Sequence, residues 1–119
     1  MADADYERQY FFYGFIHGSQ KTQEIDLQLL KSIKAQNGLK YYAPEVDFSM
    51  AYFLNRYLDN GSEDLLKELV HTYRYAVPQD ASVAFFVKFR KLKTYNDQLH
   101  DEEKIFILGT DRMISAIWF

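Results

Sequence analysis

The chain has no cysteine. A disulfide framework, a cysteine-based metal site and a cysteine nucleophile are therefore excluded. Glycine is scarce, at five residues, and proline scarcer, at two, so the breaks they make stand out. Gly18, Asn37-Gly38, Pro44, Asn60-Gly61, Pro78 and Gly109 divide the chain. No apolar run approaches the roughly 20 residues of a membrane span. Positive charge is not in excess either: 14 Lys and Arg stand against 17 Asp and Glu, a net charge of −3. That balance argues against a nucleic-acid binder acting by charge alone. The densest basic stretch, Lys88-Phe89-Arg90-Lys91-Leu92-Lys93, could follow a phosphate backbone. The acidic balance favours reading it as the solvated part of a strand and its turn. The first residues, Met1-Ala2-Asp3-Ala4-Asp5-Tyr6-Glu7, are acidic where a secretory signal is basic and then apolar, and a cytoplasmic location is expected.

Aromatic residues are what the chain has in excess: ten Tyr, ten Phe and one Trp in 119 residues. The length fits one domain, residues 1–119, with residues 1–8 as a polar tail. Large rings bury well in a core and also serve flat ligand pockets and partner surfaces.

Tyr10 to His17 is apolar, carries Ile16 and ends at Gly18, which reads as a buried strand. Thr22 offers an N-cap to a helix bearing Ile25, Leu29, Leu30 and Ile33, stopped at Asn37-Gly38. Leu39 to Ala43 reads as a short strand ended by Pro44. Asp47 caps a second helix with Phe48, Ala51, Tyr52 and Asn55 on one side, closed by Asn60-Gly61. Ser62 caps a third, with Leu65, Leu66, Leu69, Val70 and Tyr73. Alternation of Val83, Phe85, Val87 and Phe89 with Ala84, Phe86 and Lys88 predicts a strand over Val83–Leu92. Residues 94–101 are polar and loop-like. Lys104–Leu108 and Met113–Phe119 read as a closing hairpin across Gly109-Thr110-Asp111-Arg112. The expected fold is α+β, a mostly antiparallel split sheet with three helices.

Three fragments could carry chemistry. His17-Gly18-Ser19 stands at a strand end, where Gly18 lets a ligand approach the backbone. His17 and Ser19 fall on one side of an extended chain and can reach hydroxyls of one sugar; such a tripeptide also makes an ordinary turn. Tyr41, ending a strand, and Tyr52, on the next helix, can clamp a planar heterocycle or simply pack in the core. Glu102 and Glu103 precede the apolar run Ile105-Phe106-Ile107. A carboxylate there can stabilise a developing cation or solvate the surface. His17, His71 and His100 have no ligand spacing, so zinc is not expected. No phosphate-binding loop, dinucleotide fingerprint or serine nucleophile elbow is present.

Taken in order and spacing, these fragments resemble the small ADP-ribosyltransferase fold in its His-Tyr-Glu branch, which includes diphtheria-toxin-like enzymes and poly(ADP-ribose) polymerases. His17-Gly18-Ser19 matches the His-Gly-Ser motif. Tyr41-Tyr42-Ala43 matches the Tyr-x-small motif, Tyr52 the second Tyr, and Glu103 the Glu that opens a late strand. The resemblance implies a toxin-like or phage-defence glycosyltransferase that transfers ADP-ribose from NAD to a macromolecular target. Gly18 would hold the carboxamide, and His17 and Ser19 the ribose hydroxyls. Tyr41 and Tyr52 would stack on the nicotinamide, and Glu103 would act as the catalytic carboxylate, with Glu102 in reserve. Two departures stand out: the glycine-rich stretch before the first Tyr is reduced to Asn37-Gly38-Leu39-Lys40, and Asp101 stands where the arginine-modifying branch has Glu.

A small, acidic, aromatic-rich domain equally fits a non-enzymatic interaction protein, such as an immunity protein, an antitoxin or a phage-encoded inhibitor, that binds a partner protein through a surface. Tyr6, Tyr10, Tyr13, Tyr57 and Trp118 are then the candidate anchors. The two expectations differ in geometry. An enzyme brings His17, Tyr41, Tyr52 and Glu103 to one cleft; a binder scatters or buries them.

Overall fold

The hydroxyl of Ser19 accepts the Thr22 N–H at 3.3 Å and opens the first helix one turn earlier than expected. The computed structural model describes residues 2–14, 19–76 and 83–111, and α1 runs over Gln20–Asn37. It stops at Gly38, whose φ of 74° suits glycine alone and whose N–H returns to the Lys34 carbonyl. Leu27, Leu30 and Ile33 face the core, while Ile25 and Leu29 are only half-buried. Helix α2, Phe48–Asn60, is capped as expected by Asp47, whose carboxylate accepts the Met50 N–H at 2.8 Å, and ends at Gly61. Helix α3, Glu63–Ala76, begins at Ser62, whose hydroxyl accepts the Leu65 N–H at 3.2 Å.

The fourth helix, α4, spans Val83–Asp97 and corrects the strand expected over Val83–Leu92. Its alternation lasts only as far as Phe89. A helical period fits further: Phe85, Lys88, Phe89, Leu92 and Asn96 are the buried positions, one helix face at i, i+3, i+4, i+7 and i+11. Lys88, read above as solvated, is 3% exposed. The run read as a loop over 94–101 belongs in part to α4, and Asp101–Glu103 forms a 3-10 turn.

Two short strands complete the fold. β1, Tyr41–Tyr42, pairs with β2, Phe106–Ile107, in parallel. The ladder places Tyr41 opposite Phe106 and Tyr42 opposite Ile107, with Phe106 N–H on the Lys40 carbonyl and Leu108 N–H on the Tyr42 carbonyl. An isolated bridge, Asp47 to Asp111, continues the same direction. Three helices lie between the strands in the chain, and such a crossover is what parallel pairing requires. The mostly antiparallel sheet with three helices is therefore overturned: among the described residues, four helices accompany one two-stranded parallel pair. Of the expected hairpin, Met113–Phe119 lies outside the described residues. In the expected first strand, residues 10–14 have no regular structure, and residues 15–18 also lie outside.

The core is aromatic at its centre. Tyr73 stacks on Phe85 with centroids 4.6 Å apart, and Phe85 meets Phe89 at 4.7 Å. Leu54, Leu66, Leu69 and Leu92 close around them without measurable exposure. Helices α1 and α4 run side by side in the same direction, since Asp26 meets Lys88 and Lys31 lies over the ring of Tyr95. The segment expected to be a tail folds in part: Asp3–Glu7 is a 3-10 turn. Tyr6 bonds Ser32 at 2.8 Å, and Asn37 donates to the Tyr6 carbonyl.

Candidate functional site: an uncovered aromatic sheet face

A strand shows alternate side chains to opposite faces. Tyr42 and Ile107 turn inward; Tyr41 and Phe106 turn outward and meet edge to face at 6.4 Å. Parallel sheets are ordinarily covered on both faces. Here the inner face is covered by helices, while Tyr41, Phe106 and Leu108 remain 61%, 51% and 39% exposed. Helix α2 lies beside the β2 edge and adds Phe48 and Tyr52, also more than half exposed. Between α2 and β2 runs an open groove of about 570 Å³, walled by Phe48, Tyr52, Arg56, Phe106, Leu108 and Gly109. Gly109 fits its place for want of a side chain: a Cβ there would strike the Asp47 carbonyl and come within 2.6 Å of the Phe48 Cα.

The free edge of β2 is sealed by two side chains. Asn96 donates to the Ile105 carbonyl at 3.2 Å and accepts the Ile105 N–H at 2.7 Å. Asn55 does the same for Ile107, both bonds at 2.9 Å. Two residues apart along the strand, these carboxamides stand in for a neighbouring strand.

Beneath the sheet lies a buried polar cluster. Tyr42 donates to Asp26, and Lys88 Nζ reaches Asp26 and the Tyr42 oxygen, both at 3.1 Å. The ammonium sits among rings, 5.1 Å from the centroid of Phe89 and 5.5 Å from that of Phe85. Burial first, and then the Asp26 carboxylate, push the Tyr42 phenol well above its ordinary pKa of about 10. The folded protein thus keeps a proton that the unfolded chain releases, so stability present below pH 10 declines as pH rises past it. Tyr42→Phe is expected to be less stable than the parent at pH 7 yet to decline less steeply above about pH 10. Urea titrations at neutral and alkaline pH check this; parallel declines would count against it.

Of the residues expected to bind NAD, His17 and Gly18 lie outside the described residues. Ser19 is occupied as the cap of α1. Tyr41 and Tyr52 share the outer apolar face, around Phe106, rather than enclosing a slot. Glu103 ends the 3-10 turn and is exposed. It acts electrostatically on Lys34, in the last turn of α1, partly offsetting the downward shift that burial imposes on that lysine. Ser19 and Lys34 stand near opposite ends of α1, about 22 Å apart along its axis. Of the expected anchors, Tyr10 and Tyr13 are exposed, Tyr6 is half-buried, and Trp118 lies outside the described residues. Tyr57 is 2% exposed and belongs to the core, which corrects its reading as an anchor.

Sequence reasoning missed Phe106, Leu108 and Arg56. The signal was an apolar run too short to be covered on both sides, next to a helix whose Phe48 and Tyr52 recur four apart. A smaller depression of about 150 Å³ lies between the first turns of α1 and α4, beside Gln23, Val87 and Lys91. Gln23 Oε1 is buried there without a hydrogen bond. Among the described residues no group of His, Asp and Glu could hold a metal ion, and no helix is long and apolar enough to cross a membrane. Comparison with models of protein families, with curated proteins and with solved structures finds no match.

Proposed function

We propose that this protein is an interaction module that binds a partner protein through the aromatic face of its two-stranded sheet. The observation that carries this reading is the cluster of Phe48, Tyr52, Phe106 and Leu108 around one groove, extended by Tyr41 edge-on to Phe106, each at least 39% exposed. A contiguous apolar patch of this kind marks a binding surface more often than chance exposure does. Tyr and Phe suit that role because they supply large contact area with few rotatable bonds. Rigid elements hold them: the α2 cap at Asp47 and the Asn-sealed strand fix both walls.

Tyr52→Asp and Phe106→Asp each place a charge at the groove while leaving the buried side chains in place. Both variants should unfold at nearly the parent's denaturant midpoint. A central aromatic anchor is commonly worth 2 kcal/mol or more, so loss of affinity should be roughly 30-fold. Quantitative affinity capture from the source cell, parent against each variant, reads this out. At least one protein should be depleted to near background in both variants. Identical capture profiles for parent and variants would sink the reading.

A further inference from the structure

Given that the aromatic face is a docking surface, the chemistry of its walls narrows what docks there. We propose that the groove receives one face of an amphipathic α-helix of the partner protein, with an acidic residue of that helix set against Arg56.

The first ground is the backbone. An extended peptide gains much of its affinity by pairing with a free strand edge. The groove offers no such edge. The N–H groups of Ile105 and Ile107 are taken by Asn96 and Asn55, and those of Phe106 and Leu108 by the carbonyls of Lys40 and Tyr42. A strand laid in this groove would bring its own N–H and C=O groups against apolar rings without partners, at a cost for each one. A helix arrives with its backbone satisfied internally and asks only for side-chain contact.

The second ground is shape. Phe48, Tyr52 and Arg56 recur four apart along α2, and with Asp59 they extend the wall over about 16 Å. The facing wall, Lys104 to Gly109, is of similar length at strand rise. That length matches about three helical turns, the span of anchors at i, i+3 or i+4, and i+7. The groove is open along its outer side, which suits a helix lying on it better than a small molecule enclosed by it.

The third ground is charge. Arg56 is exposed toward the Asp59 end of the α2 wall. Its guanidinium lies 6.0 Å from the Phe53 centroid, and among the described residues it has no carboxylate partner. Lys104, on the opposite wall, has Asp101 at 3.2 Å. Asp59, which also lines the groove, stands one turn beyond Arg56 without forming an ion pair with it. On a chain of net charge −3, a cation on this groove's wall that forms no ion pair among the described residues selects an acidic residue on the flank of the incoming helix.

The test uses two displayed peptide libraries of about three helical turns' length. One is patterned with apolar residues at helical spacing, the other with strict alternation. Both are selected on the full chain and counter-selected on Tyr52→Asp, with Phe48→Asp as a second groove variant. The expected result is enrichment of the helical library alone, with Asp or Glu recurring at one flank position. Affinity should fall at least tenfold on Arg56→Glu and return when the peptide's acidic residue becomes Lys. Enrichment of alternating sequences in the groove overturns the helix and leaves the docking face standing. No groove-directed enrichment from either library overturns both. Indifference to Arg56→Glu overturns the charge assignment. Self-association that Tyr52→Asp abolishes makes a second copy the occupant, and tighter peptide binding on removal of residues 112–119 makes that segment the occupant. Either result overturns the partner helix.

Discussion

Asn96→Ala should lower the unfolding free energy by about 4 kcal/mol, seen as a drop in urea midpoint at unchanged slope. The residue looks replaceable in the sequence, a polar side chain near the start of a polar stretch. In the fold it is 3% exposed, and both ends of its carboxamide are committed to Ile105, itself 3% exposed. Alanine leaves that N–H and that carbonyl without partners where water has little access. Each orphaned group costs about 1–3 kcal/mol. Asn55 makes the same pair of bonds to Ile107 but is only half-buried. Water can replace it, so Asn55→Ala should cost about 1–2 kcal/mol. Asn96→Asp separates the two bonds. Its carboxylate still accepts the Ile105 N–H but turns an oxygen toward the Ile105 carbonyl, so protonation at low pH should recover part of the loss. Equal losses for Asn96→Ala and Asn55→Ala would refute the burial argument.

These two asparagines also show where the sequence was legible and where it was not. Caps and stops are local chemistry, so Asp47, Ser62, Gly38 and Gly61 announce α2, α3 and the end of α1 directly. The first helix was misplaced by one turn because Ser19 and Thr22 are both good caps, and only the fold shows which hydroxyl is used. Helix α4 was misread because Val83 to Phe89 is apolar at nearly every position. A short run of that kind satisfies period 2 and period 3.6 alike. The deciding positions, Leu92 and Asn96, lie beyond it. Taking this segment for a strand produced a sheet that the chain does not make. The candidate site depended on that sheet: Tyr52 does lie on the following helix, but Tyr41, expected to end its strand, opens β1, and no local pattern reveals whether a third layer covers them. The asparagine seal was illegible for the same reason. A carboxamide that closes a strand edge from 9 or 52 residues away carries no mark in its neighbours.

Lys88→Met should cost about 3–5 kcal/mol, and Lys88→Met combined with Asp26→Asn should restore most of it. Lys88 is 3% exposed, its ammonium held by Asp26 and by the Tyr42 oxygen, its stem among Phe85 and Phe89. Methionine preserves most of the stem's packing. What it removes is the partner of a carboxylate with 12% side-chain exposure. A buried charge without its counterion is far more costly than a buried pair that was never formed. Asparagine at position 26 removes the stranded charge and still accepts the Tyr42 hydroxyl through its amide oxygen. The double variant should therefore lie within about 1–2 kcal/mol of the parent, a strong favourable coupling in a double-mutant cycle. A double variant no more stable than Lys88→Met would assign the loss to the ammonium's contacts with the rings instead, since those are gone in both. The comparison bears on the whole architecture. Asp26, Tyr42 and Lys88 lie on α1, β1 and α4, and they join the α1–α4 pair to the inner face of the sheet. Ion pairing there would fix which turn of α1 faces which turn of α4, while ring contact alone would tolerate a shift. In the first case the double variant regains stability but loses that register, which would appear as altered amide shifts along α1 and α4 in a protein that still unfolds cooperatively.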